Sequence, residues 1–254
     1  MRLPRRLKHG QPAELVEHLD ELRSRLIISL LAIGGGFAIA YVFHPTLIGW
    51  LNGPLPRDHR HPVTFGIAEP FTTSLKVSLA AGIALALPVV LWQVWSYLAP
   101  AFEAQLHRTL ATFVCFATGL FVLGLAFAYR VALPAAVHFL TNYDNNLYNV
   151  QVRAQNYYSF ALTVLVAVGI VFEVPIFVLA LVRLRIMTAA KLRRSWRGGL
   201  AIMAVIGAAL PGLDPVSTLM EMLPLMALYL LSVALATVLE RRWFAAVQTS
   251  HASA

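Results

Sequence analysis

The side chains in this sequence that could do chemistry are carboxylates in unusual company. Glu173 lies within residues 157–182 (YYSFALTVLVAVGIVFEVPIFVLALV), a run of 26 that is otherwise nearly all apolar. An acid inside a membrane-spanning helix costs roughly 2.5–3.5 kcal/mol on insertion scales, so it needs a partner, a proton or a water-filled recess. Such a group either hydrogen-bonds a neighbouring helix or lines a polar path through the bilayer. Pro175 follows two residues later. It removes a backbone donor and its ring presses on the carbonyl of Val171, which predicts a kink beside the acid. The second carboxylate group is residues 14–26, ELVEHLDELRSRL. Here Glu21 and Arg25 are an i,i+4 pair and Asp20 and Arg23 an i,i+3 pair. Taken alone, the segment is either a solvated helix face or a docking site for a cationic ligand. A guanidinium is the best match for the second use, through bidentate hydrogen bonds.

Other chemistries find little support. Cys115 stands alone in an apolar run, which gives neither a disulfide framework nor a cysteine metal site. The eight histidines form no HExxH and no paired helical spacing, and no GxxxxGK[ST] loop is present. No Ser/His or Cys/His couple or paired acid lies at membrane depth. We therefore expect no cofactor, no metal and no enzymatic activity.

The elements that must position the carboxylates are membrane spans. At 59% hydrophobic and 13% charged over 254 residues, with mean hydropathy +0.70, the chain reads as an all-α polytopic membrane protein of one domain, residues 1–254. A net charge of +8 would suggest nucleic acid in a soluble protein. In a membrane protein it reflects the positive-inside rule, and no nucleic-acid partner is expected.

The basic start, MRLPRRLKHG, is not a signal peptide, because the acidic residues from Glu14 to Glu21 separate it from the first apolar run. Residues 1–25 read as a tail and an amphipathic helix, with Leu15, Leu19, Leu22 and Leu26 forming one stripe. Six spans follow within residues 26–239: 26–43 (with Gly34-Gly35-Gly36 permitting close helix contact), 72–98, 109–129, 157–182, 198–210 and 222–239. Residues 240–254 form a second tail. The fifth span, at about 20 Å, is too short for an ordinary bilayer. Fifteen of the twenty Lys and Arg fall on the side of the two tails and five on the other, which puts both termini in the cytoplasm.

The segment HLDELRSRL resembles the N-terminal signature of the TatC family, the multispanning receptor subunit of the twin-arginine protein translocase. Further matches follow in order: PFTTSLKVSL and ALPVVLWQVWSYLAP in the second span, GLAFAY closing the third, FEVP in the fourth, and LDPVS before the sixth. The likeness covers about residues 12–240. It implies a non-enzymatic subunit in the inner membrane of a prokaryote that binds twin-arginine signal peptides at the cytoplasmic face. It also implies small single-span partners of the TatA/TatB type, a homo-oligomer within a receptor complex, and cargo movement driven by the proton-motive force.

By the same resemblance Glu21 contacts the signal arginines, and Arg23 and Tyr97 belong to that site. The family's second glutamate falls on Leu106 here, with Glu103 one helical turn earlier as its substitute. Glu173 matches an intramembrane glutamate, about 13 Å in from the cytoplasmic end of its span. Pro54, Tyr129, Asp214 and Pro175 also fall on family positions. Read bare, they are turn residues, interface anchors, a loop acid and a kink. The expected architecture is a concave face with short fifth and sixth helices, wetted by Glu173. The rival reading is a proton-coupled transporter of ions or small solutes that uses Glu173.

Overall fold

The computed structural model describes residues 15–98, 106–144, 146–147, 150–183, 186–209 and 215–251. Among them regular structure is helical: α1 (Leu15–Val42), α2 (His44–Leu51), α3 (Glu69–Leu98), α4 (Leu106–Phe127), α5 (Leu133–Asn142), α6 (Ala154–Val171), α7 (Val174–Arg183), α8 (Ala189–Arg194), α9 (Trp196–Ala209) and α10 (Pro215–His251). Among the described residues five stretches are long and apolar enough to cross a membrane: His18–Val42, Glu69–Tyr97, Ala111–Asn142, Ala154–Arg183 and Thr218–Glu240. The 14 residues of α9 fall short of that length.

Several boundaries differ from the sequence reading for local reasons. The amphipathic segment and first span are one helix, α1, which stops where Pro45 has no N–H to offer the Tyr41 carbonyl and the His44 ring takes that carbonyl instead. The third span does not end at Tyr129. A π-helical turn at Ala128–Ala132 joins α4 to α5, so helix persists to Asn142. Pro134 has no N–H to offer, and the widened turn lets the Leu133 N–H reach back to the Ala128 carbonyl. The fourth span breaks at Phe172 and Glu173, between α6 and α7. There the Glu173 N–H bonds the carbonyl of Ile170 at 3.0 Å, a tightened turn immediately before Pro175.

The expectation of a short sixth helix is wrong. Helix α10 has 37 residues. Pro215 suits its first turn, and good helix formers carry it past Glu240. Its buried positions Glu221, Leu225, Tyr229, Ser232, Val233 and Ala236 recur every three or four residues, as one face of a helix requires.

The chain forms two compact units. One comprises residues 1–50 and 70–118, the other residues 51–69 and 119–254. In the second unit α10 packs along α9, α7, α8 and α5. Its core gathers Ala128, Ala132, Val164, Val168, Val171, Phe172 and Leu225. The carboxylate of Glu240 accepts the Ala189 N–H at 3.0 Å, which docks the start of α8 on α10.

Also in the second unit, residues 51–69 are fastened to residues 150–158. The Val63 N–H reaches the Val152 carbonyl at 2.9 Å, and the Ala154 N–H reaches the Val63 carbonyl at 2.8 Å. The Tyr157 hydroxyl donates to the Leu51 carbonyl, and the Tyr158 hydroxyl to Asn52 Oδ1 at 2.7 Å. Glu69, only 5% exposed, accepts from the backbone N–H groups of Phe65, Gly66 and Gln155 at 3.1, 3.2 and 3.0 Å. It also takes Arg153 Nε at 3.2 Å and Nη2 at 3.2 Å, while the Arg153 guanidinium lies 5.7 Å from the centre of the Phe65 ring.

One carboxylate thus closes a loop by pairing across 84 residues. Glu69→Gln replaces an acceptor oxygen with an NH2 that faces donors. The amides of Phe65, Gly66 and Gln155 should then exchange with deuterium at least about tenfold faster than in the wild type. Unchanged exchange would mean the Val63 bridge and the two tyrosines hold the loop without Glu69.

Candidate functional site

The carboxylate of Glu21 stands in a niche built from two helices of the first unit. On α1, His18, Glu21 and Arg25 are spaced by three and four residues and share a face. On α3, Gln93 and Tyr97 are four apart and do the same. Arg25 donates Nε and Nη2 to Glu21 Oε1 at 3.0 and 2.5 Å, and its Nη1 reaches Gln93 Oε1 at 3.4 Å. Glu21 Oε2 lies 4.0 Å from His18 Nδ1. The His18 and Tyr97 rings stack, with centroids 4.4 Å apart and planes 15° from parallel. Glu21 and Arg25 are 18% and 21% exposed, so the pair is partly desolvated yet open to an approaching group.

The structure therefore brings Tyr97 to the neighbourhood of Glu21 through His18. It does not bring Arg23 there. Residues two apart do not share a helix face, and Arg23 is exposed. Glu103 and Asp214 lie outside the described residues, as does the side chain at Leu106. His18 and Gln93 complete the niche and were not singled out from sequence, while Arg25 was read as the partner of Glu21 and not as part of a binding site. The i,i+3/i+4 spacing of His18, Glu21 and Arg25 was the available signal. Gln93 had none, because its contact with Arg25 spans 68 residues.

The second locus is Glu173, in the turn between α6 and α7 of the second unit. It is 4% exposed, and neither carboxylate oxygen has a hydrogen-bond partner among the described residues. Phe172 on one side belongs to the apolar core and Val174 on the other packs against it, with buried Pro175 next. A further buried acid not singled out from sequence, Glu221, lies on α10 at 2% exposure. It precedes by one turn Leu225, which packs in the same core as Phe172. Starting the sixth span at Met222 had left Glu221 in a loop. Its spacing to Leu225 and Tyr229 would have placed it on the buried face. Tyr129 sits half-buried in the π-helical turn, and Pro54 half-buried in the turn after α2.

Apolar helices of spanning length, three of them carrying buried acids, define a polytopic α-helical membrane protein. Residues 17–224 match the family model "Sec-independent protein translocase protein (TatC)". The protein of that name from Carboxydothermus hydrogenoformans is 33% identical over 235 residues, 92% of this chain and 97% of its own length. The chloroplastic protein from Pisum sativum is 31% identical over 226 residues, 88% of this chain and 64% of its own. A crystal structure described as the twin arginine translocase receptor TatC superposes with a TM-score of 0.74 at 33% identity, covering 87% of this chain and 98% of that one. The chain belongs to the TatC family. It is a membrane component of the Sec-independent protein translocase and not an enzyme.

Proposed function

We propose that this chain is the receptor subunit that binds twin-arginine signal peptides at the cytoplasmic face, with Glu21 accepting a signal arginine. The observation that carries the reading is the Glu21 niche. A partly desolvated carboxylate with an aromatic stack beside it is what a planar guanidinium requires. The similarity to a solved twin arginine translocase receptor supports it. In this reading α9 is the short fifth of six spans and both termini are cytoplasmic. Small single-span subunits of the TatA/TatB type and further copies of this chain complete the complex in the prokaryotic inner membrane, and the proton-motive force drives cargo. Glu103, in place of the carboxylate absent at Leu106, is the second acidic contact. Tyr97 walls the site. Glu173 acts after binding, as a polar lining beside the helix break at Pro175. Pro54, Tyr129 and Asp214 shape the turns between spans.

Site-specific crosslinking of a twin-arginine peptide to the membrane-embedded chain tests the reading. Charge-assisted hydrogen bonds contribute about 1.5–3 kcal/mol, so Glu21→Ala should weaken binding by about ten- to a hundredfold. Crosslinking at the wild-type level would remove Glu21 from the site.

A further inference from the structure

Glu21 already holds a guanidinium, that of Arg25. Both contacts from Arg25 converge on a single oxygen, Oε1. Among the described residues Oε2 faces the His18 ring, 4.0 Å away. An incoming arginine can make a two-point fork with a carboxylate only if both oxygens are available. Oε1 becomes available when Arg25 lets go. Gln93 is placed for that exchange. Its Oε1 sits 3.4 Å from Arg25 Nη1, so the released guanidinium turns onto an amide oxygen without being left unpaired in a half-buried site.

A lysine has no such route. Its ammonium is a compact charge with no fork, and at Oε2 it would sit beside the retained positive charge of Arg25. A planar guanidinium also lies flat against the stacked His18 and Tyr97 rings, which an ammonium does not. Resting on the reading that Glu21 receives a signal arginine, we propose that Arg25 is an internal competitor for Glu21. It makes docking an exchange of one guanidinium for another, and so sets the preference of the niche for arginine over lysine. Arg25 acts on specificity without being a contact that cargo needs.

The test uses the full chain in lipid nanodiscs with two labelled peptides that differ only in carrying Arg-Arg or Lys-Lys at the motif. In Arg25→Gln the competitor is gone. The Arg-Arg peptide should bind up to about fivefold tighter, the upper range for partly exposed ion pairs. The Lys-Lys peptide should gain more than that, so the ratio of the two Kd values narrows. Gln93→Ala keeps the Glu21–Arg25 pair but removes the landing group, and should weaken Arg-Arg binding. In the Arg25→Gln background Gln93→Ala should then have no effect. A purely structural role for Arg25 would lower both affinities and leave their ratio alone, and that result overturns the proposal. So does an unchanged ratio, or a Gln93→Ala effect that persists without Arg25. Wild-type chain that binds neither peptide would instead overturn the receptor reading itself, which separates the two failures.

Discussion

Glu173→Leu is expected to give a chain more stable than the wild type that exports no folded cargo. Both oxygens of Glu173 are buried and lack partners among the described residues, in a turn flanked by Phe172 and Val174 of the apolar core. Leaving a buried polar group unsatisfied costs about 1–3 kcal/mol, and a leucine in the same space removes that term. Thermal unfolding in detergent should therefore move upward. Export of a folded twin-arginine reporter in a translocase-deficient strain should fail, because the polar lining is gone. Glu173→Gln separates charge from shape. It keeps the outline and hydrogen-bonding capacity of a neutral acid, so it should retain much of the export if the neutral form acts. Glu173→Ala, which loses the group and opens a void, should not. A leucine variant less stable than wild type would show that the carboxylate holds the helix break together. Full export by the leucine and alanine variants would take Glu173 off the transport route.

What the sequence made legible was local. The break before Pro175 follows from a missing N–H, and the Glu21–Arg25 pair from i,i+4 geometry. Helix α9 was expected at 198–210 and is Trp196–Ala209, because the apolar run itself is short. What stayed hidden was set by tertiary pairing or by compensation. Glu69 looks like a loop acid beside Pro70 until Arg153 closes on it. The third span seemed to end at Tyr129 because polar and helix-breaking residues follow. A π-helical turn absorbs Pro134 instead, and the helix continues. The sixth span seemed to start after the acid Glu221, because an acid reads as solvent-facing when only hydropathy is counted. Burial of that acid depends on which face α10 turns to α7 and α9, and sequence alone does not state this.

The same limit explains why three consecutive glycines in α1 were read as permitting close helix contact, but which of them makes it was not legible. A Cβ on Gly34 or Gly35 would meet nothing within 4 Å. On Gly36 it would sit 2.5 Å from the Gly82 carbonyl oxygen, and on Gly82 it would sit 2.5 Å from the Phe37 nitrogen. These are backbone atoms with no rotamer to change. In a bilayer, lipid is as apolar as leucine, so helix association rests on this kind of close backbone approach. Gly36 follows Arg25 by eleven residues on α1, and Gly82 precedes Gln93 by eleven on α3. The glycine crossing therefore sets the antiparallel register that puts Gln93 opposite Arg25, about 16 Å along the helices. Gly82→Ala and Gly36→Ala should each destabilise the chain by about 1–3 kcal/mol through overpacking. The double variant should cost less than the two together, since both strain the same contact and one separation of the helices accommodates both. Gly34→Ala and Gly35→Ala should be neutral or stabilising by up to about 1 kcal/mol, from helix propensity alone. Thermal unfolding in detergent reads the first effect. Binding of the Arg-Arg peptide should fall in the Gly36 and Gly82 variants and hold in the other two, because a crossing pushed apart also parts the walls of the Glu21 niche. Equal stability and binding across all four alanine variants would show that the crossing does not set the register.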